Sequence, residues 1–155
     1  MGANESYYTR QVIKALRERL PHAVTFKHAD MFTMGVPDFS VTRNGTTSWF
    51  EAKHLDESKN WDLSTPDYQR AGLLNTKPDM IRLIPTRDIP AVQWETLRRL
   101  IRGYLVLYTP HGHALTKVTG ARDSVGHMRL KMVAIEILVK SIIQAAENGE
   151  GYNDL

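Results

Sequence analysis

The chain has 155 residues, 42% hydrophobic and 24% charged, which suits a single globular domain and excludes wholesale disorder. Cysteine is absent, so disulfide scaffolds, thiolate metal sites and cysteine nucleophiles are excluded. A net charge of +3 permits a nucleic-acid partner without demanding one, but Arg10, Lys14, Arg17, Arg19 and Lys27 gather near one end, and Arg98, Arg99 and Arg102 form a second group.

Residues 5–20 predict a helix, with Tyr8, Val12, Ile13, Leu16 and Leu20 recurring three and four apart and Pro21 ending it. Residues 23–27 predict a short strand. Residues 35–42 and 46–54 predict two strands joined at Asn44-Gly45, because both central residues of a type I′ turn need positive φ. Residues 55–89 are less regular: TPDYQRAGLL suggests a short helix and residues 80–84 a strand. Asp88 precedes a clearer helix, with Pro90 in its first turn and Gly103 just past its end. Residues 104–109 predict a buried strand and 113–118 an edge strand. Residues 122–147 predict one long apolar helix. Its residues Met132, Val133, Ile135, Ile137, Leu138, Val139, Ile142 and Ile143 wrap more than one face, so it is either sandwiched in the domain or supplies the interface of a homodimer. Residues 1–147 are expected to form one domain and 148–155 a flexible acidic tail. No apolar run is long enough to span a membrane, and the polar start MGANESYYTR lacks a secretory apolar segment, so a cytoplasmic location is the expectation.

The hairpin carries the chemistry. With Asn44 and Gly45 as the turn, Arg43 pairs with Thr46, and counting back along both arms places Asp38 opposite Glu51. Directly opposed side chains have Cβ atoms about 4.5–5.5 Å apart. Lys53 lies two residues beyond Glu51 and shares its face, while Phe39, Val41, Phe50 and Ala52 form the opposite, core face. Opposed carboxylates repel unless neutralised, and two carboxylates, a backbone carbonyl and waters suit Mg²⁺ or Mn²⁺. A lysine on that face suits orientation or activation of an attacking water and stabilisation of a negative transition state. The same Glu-x-Lys pattern alone is common on solvated strands; the hairpin and the Gly35-Val36-Pro37-Asp38 entry distinguish it here.

Gly35-Val36-Pro37-Asp38 followed by Glu51-Ala52-Lys53 after a short hairpin resembles the PD-(D/E)XK nuclease superfamily, most of all its Holliday-junction-resolvase-like and VRR-NUC branches, often small and phage-borne. The resemblance implies an α/β, restriction-endonuclease-like core: a mixed sheet with the active site on a β-hairpin, flanked by helices. It implies metal binding by Asp38, Glu51 and the Ala52 carbonyl, with Lys53 serving the attacking water. It also implies a glutamine on the following helix, for which Gln93 is preferred over Gln69 because a full strand follows its helix. A first-helix glutamate near the metal falls on Glu5, which is equally explained as a first-turn acid favoured by the helix dipole. The implied function is Mg²⁺-dependent hydrolysis of phosphodiester bonds in DNA, structure-selective or weakly sequence-specific, leaving a 5′-phosphate. The alternatives are a non-catalytic nucleic-acid-binding or assembly module with the same fold, and an unrelated α/β protein with a chance motif.

Other residues have plainer readings. His111 and His113 flank Gly112 as a turn pair without an evident third metal ligand. His54 points to the other face from Lys53, either as packing or as a support behind the site residues. Trp49 lies on the Glu51 face, to touch a nucleobase or to cap the sheet. Trp61 and Tyr68 are loop aromatics that either contact DNA or staple the loop.

Overall fold

Strand-forming residues dominate the middle of the chain and assemble into a five-stranded mixed sheet. The computed structural model describes residues 5–28, 35–62 and 80–149. Helix α1 (Glu5–Arg19) leads into β1 (Val24–Lys27), β2 (Phe39–Arg43) and β3 (Thr46–His54). Then come α2 (Glu57–Asn60), β4 (Met80–Leu83), α3 (Pro85–Asp88), α4 (Ala91–Arg99), β5 (Gly103–Thr109), β6 (Gly112–Lys117), β7 (Met128–Lys131) and α5 (Ile135–Asn148). The sheet order is β1-β2-β3-β5-β6, parallel between β3 and β5 and antiparallel elsewhere. Strands β4 and β7 pair separately.

The hairpin turn sets the register. Asn44 and Gly45 have φ of 52° and 77°, the positive values a type I′ turn requires. The ladder then runs from Arg43↔Thr46 to Phe39↔Phe50. Phe39 and Phe50 stack with centroids 4.9 Å apart, and Tyr104 of β5 continues the stack at 5.2 Å from Phe50.

Both faces of the sheet are covered. Phe39, Val41, Phe50, Ala52, Tyr104, Val106 and Tyr108 pack against Val12, Ile13 and Leu16 of α1 and Leu138, Val139 and Ile142 of α5. On the reverse face Leu55, Leu105 and Leu107 meet Trp94 and Leu97 of α4, and Ile81, Leu83 and Leu130 of the small sheet. A strand buried on both faces reads as a continuous apolar run, which is why YLVLY in β5 carries no alternation. Expecting a single core face was therefore wrong: the Glu51 face holds a second core.

Three sequence expectations change. Residues 122–147 are not one helix: Met128–Lys131 form β7 and α5 starts at Ile135. The apolar alternation of Ile81 and Leu83 needs a partner, and Leu130 supplies it; Val133 then bridges to His113 on the sheet edge, filling the gap that looked helical. The first hairpin arm pairs only from Phe39, not from residue 35. Gly35 has φ of 87°, and a Cβ there would lie 2.8 Å from the Thr96 Oγ1 atom of α4, so residues 35–38 turn against that helix instead of extending β2. Finally, α4 ends at Arg99, and Gly103 opens β5 instead of closing the helix. Helix α5 buries one face only: Leu138, Val139, Ile142, Ala145 and Ala146 are buried, while Glu136, Lys140 and Gln144 are exposed and Ile137 is 50% exposed, so it is not sandwiched. It runs to Asn148. The helix expected at TPDYQRAGLL, with Tyr68 and Gln69, and the tail from residue 150 lie outside the described residues. Among the described residues, no helix is long and apolar enough to cross a membrane.

Candidate active site

The site forms where β3 outruns its neighbour. The β2 ladder stops at Phe39↔Phe50, while β3 continues to His54. On the edge β2 leaves vacant, the Ala52 N–H donates to Asp38 Oδ2 at 2.7 Å and the His54 N–H donates to Glu5 Oε2 at 3.2 Å. These carboxylates replace the missing strand, satisfying donors that would otherwise lack partners. In an extended strand the N–H and C=O of one residue point to the same edge, so the Ala52 carbonyl opens toward Asp38 as well. Helix α1 is set by a buried contact between Thr9 Oγ1 and the Tyr108 hydroxyl at 3.1 Å, one turn beyond Glu5.

The sheet aligns a row of polar groups across this edge. Lys27 pairs with Phe39, and the His28 N–H donates to the Asp38 carbonyl at 2.8 Å. His28, Asp38 and Glu51 therefore occupy one row across adjacent strands on one face, and Lys53 follows Glu51 on that face.

Glu51 is 4% exposed. Burial above all, then its hydrogen bond with Asp38 and the charges of Asp38 and Glu5, push its carboxyl up to about 10; the Lys53 charge pulls the other way. Without a cation, burial and the neighbouring carboxylates favour the protonated form of Glu51. Two carboxylates forced together in a dry place are a donor set awaiting positive charge. Asp38, Glu51 and the Ala52 carbonyl, completed by water, suit Mg²⁺ or Mn²⁺. Among the described residues no group of three or more His, Cys, Asp or Glu side chains is set as a metal centre; Glu5 is engaged by the His54 N–H.

A polar cavity of about 60 Å³ lies here, lined by Glu5, Ser6, Thr9, Lys27, Asp38 and Ala52. Lys27 also lines a larger cleft of about 360 Å³ with Arg10, Lys14 and Arg17 of α1. These arginines and Lys14 form the polar stripe of α1, opposite the buried Val12 and Leu16, with Ile13 at its margin and Glu18 beside it in the cleft. Arg17 is anchored by donating to the Thr25 carbonyl at 3.1 Å.

The structure thus brings together Asp38, Glu51, Lys53, the Ala52 backbone and Glu5. Gln93 lies on α4, between the Val92 and Thr96 side that meets Gly35 and the core-facing Trp94 and Leu97. Its Oε1 is buried with no hydrogen-bond partner among the described residues. His111 and His113 do not act as a pair: His111 Nδ1 contacts Glu57 Oε2, whereas buried His113 packs edge-on to Tyr8 and Tyr108. His54 stacks on Tyr8 at 6.5 Å. Trp61 forms an isolated bridge with Ile81.

Sequence reasoning missed His28, and read Lys27 only as part of a basic group. Antiparallel pairing of β1 with β2 would have placed His28 opposite Asp38, but that pairing crosses residues with no turn signal comparable to Asn44-Gly45.

Compared with protein-family models and with curated proteins, the sequence matches none. Among solved structures it is similar to Hjc, a Holliday junction resolvase from the archaeal hyperthermophile Archaeoglobus fulgidus: 13% identity, 88% of this chain and 95% of that chain covered, TM-score 0.45. This likeness carries no argument about activity, which rests on the geometry of the site.

Proposed function

We propose that this chain is a metal-dependent endonuclease of the PD-(D/E)XK type that hydrolyses phosphodiester bonds in DNA. The observation that carries the reading is the meeting of Asp38 and Glu51 at the vacated edge of β3, with Glu51 held up at about 10 and the Lys53 charge acting on it. Asp38, Glu51 and the Ala52 carbonyl would hold Mg²⁺ or Mn²⁺, with Glu5 close by. When bound, the cation supplies polarisation of the phosphate and a more acidic water.

The chain's own residues do the rest. Glu51 would serve as a ligand in its ionised form, its proton passing to solvent. Lys53 orients the attacking water and stabilises negative charge building on the phosphoryl oxygens. Gln93 holds a water or a phosphate through its amide. Arg10, Lys14, Arg17 and Lys27 receive the flanking backbone phosphates, a contribution that weakens steeply with salt. Among the described residues no separate base-reading element accompanies the site, which favours structure-selective or weakly specific cleavage, as in the Holliday-junction-resolvase-like and VRR-NUC branches.

The test is a panel of end-labelled duplex, single-stranded, flapped and four-way DNA incubated with Mg²⁺, Mn²⁺, Ca²⁺ or EDTA. Cleavage with Mg²⁺ or Mn²⁺, lost in EDTA and in Asp38→Asn, is the expected result. The basic cleft favours a second reading, a nucleic-acid-binding module without turnover, because its cations act independently of the carboxylates. Salt-sensitive binding with no product on any substrate would decide for it.

A further inference from the structure

The acid site leaves a neighbouring aromatic surface unused. On the face carrying Asp38 and Glu51, the preceding cross-strand row is Phe26, Ser40 and Trp49. The His28 ring bridges the two rows. It lies 5.3 Å from Trp49 at 26° between planes, and 5.3 Å from Phe26 at 32°. Its Nε2 lies 2.9 Å from Ser40 Oγ, which fixes the imidazole. Three rings therefore form one preorganised surface. Phe26 is 58% exposed, and Val24, two residues before it on the same face, is 60% exposed. Exposed apolar side chains in a contiguous patch mark a contact surface.

We infer that Phe26, His28 and Trp49 form a stacking surface for unpaired nucleobases, so that the substrate strand reaches the acid site with bases unstacked beside the scissile phosphate. This rests on the nuclease reading and narrows its substrate class. Charge selects this occupant over a protein face. Lys53 stands one row beyond Glu51 on the same side, and Lys27 and Arg17 line the cleft behind β1. A strand whose bases lie on the rings would bring its phosphates past Lys53 on that face, with Lys27 and Arg17 reached only around the open edge of β1, on the opposite face. Bases inside a duplex cannot use the surface, because their faces are already stacked on neighbours; a single strand can, and each base on an aromatic ring adds sequence-tolerant affinity.

The test is equilibrium binding in EDTA, where no cleavage occurs. Fluorescein-labelled oligothymidylate and a blunt duplex of equal length are titrated with the parent, Phe26→Ser, Phe26→Tyr and Trp49→Leu proteins at several salt concentrations. Phe26→Ser and Trp49→Leu should each weaken single-strand binding about tenfold. Duplex binding should stay within about twofold and the salt slope should not change, since no phosphate contact is lost. Phe26→Tyr should restore single-strand affinity, which separates stacking from misfolding. Single-strand binding unchanged in Phe26→Ser and Trp49→Leu would overturn the inference, as would an equal loss on the duplex. Loss of self-association in Phe26→Ser, with single-strand affinity intact, would instead assign the surface to a second copy. Because binding is read without metal, the nuclease reading can fail on the cleavage panel while this inference stands, and the reverse.

Discussion

Strands β3 and β5 lie side by side and parallel, with Glu51 beside Leu105 and Lys53 beside Leu107, yet they do opposite work. All seven residues of β5 are buried, and its neighbours pair with it along both edges. Strand β3 has β5 on one edge for its whole second half, but loses β2 on the other after Phe50. Where pairing continues, side chains are apolar and the strand anchors two cores. Where it stops, backbone N–H groups need acceptors, and Asp38 and Glu5 supply them. A break in a ladder thus converts a structural need for acceptors into a cluster of carboxylates, held by the rigid strand next door.

The comparison breaks most sharply at the site. Asp38→Asn, Glu51→Gln and Lys53→Ala should each cut single-turnover DNA cleavage by about a thousandfold or more, about 4 kcal/mol of barrier, with unchanged far-ultraviolet circular dichroism. Wild-type turnover by purified Lys53→Ala would remove that lysine from the mechanism.

One strand over, the loss should be of fold. Leu107→Ala deletes a fully buried side chain between β3 and β6 and should cost about 2–5 kcal/mol of unfolding free energy in urea titration. Cleavage by the fraction still folded should be near normal. A large loss of activity in fully folded Leu107→Ala would mean that β5 does more than support.

Gln93 lies between the two regions, on the helix that covers β5 and meets Gly35. Gln93→Ala should slow single-turnover cleavage about ten- to a hundredfold, or about 1.4–2.7 kcal/mol, without changing the salt slope of binding. Gln69→Ala should cost far less; the opposite ranking would transfer the role to Gln69.

The smallest expected effect is on stability. Glu51 titrates near 10 in the folded chain against an ordinary 4.5. Below that ordinary value both folded and unfolded chains hold the proton. As pH rises toward 10 the unfolded chain gains by ionising while the folded chain does not, so metal-free stability falls across this window. Glu51→Gln should remove that slope and raise Tm in EDTA at pH 8 by several degrees. Added Mg²⁺ should raise the Tm of the parent but not of this variant. A lower Tm for Glu51→Gln at every pH would mean that burial of the Glu51 carboxyl is not the source of the strain.

Local signals explain what was legible. Asn44-Gly45 specifies its own turn, and alternation along both arms follows, so the approach of Asp38 to Glu51 could be counted from the chain alone. The periodicity of α1 and the apolar run of β5 are equally local. Residues 122–147 misled because Met128–Lys131 is too short for its alternation to stand out beside the helical stripe of α5; only pairing with β4, distant in the chain, identifies it as a strand.

The sequence by itself therefore determined the hairpin, its register and the face shared by Glu51 and Lys53, because turn chemistry and the period of a strand act over a few residues. Tertiary structure alone decided that Glu51 is buried beside Asp38, that Glu5 reaches the His54 N–H, and that His28 joins the row of Asp38 and Glu51. Each of these depends on which distant element fills a vacant edge or covers an open face. That choice is made by complementary packing and hydrogen-bond satisfaction across the whole molecule, and no short window of residues contains it.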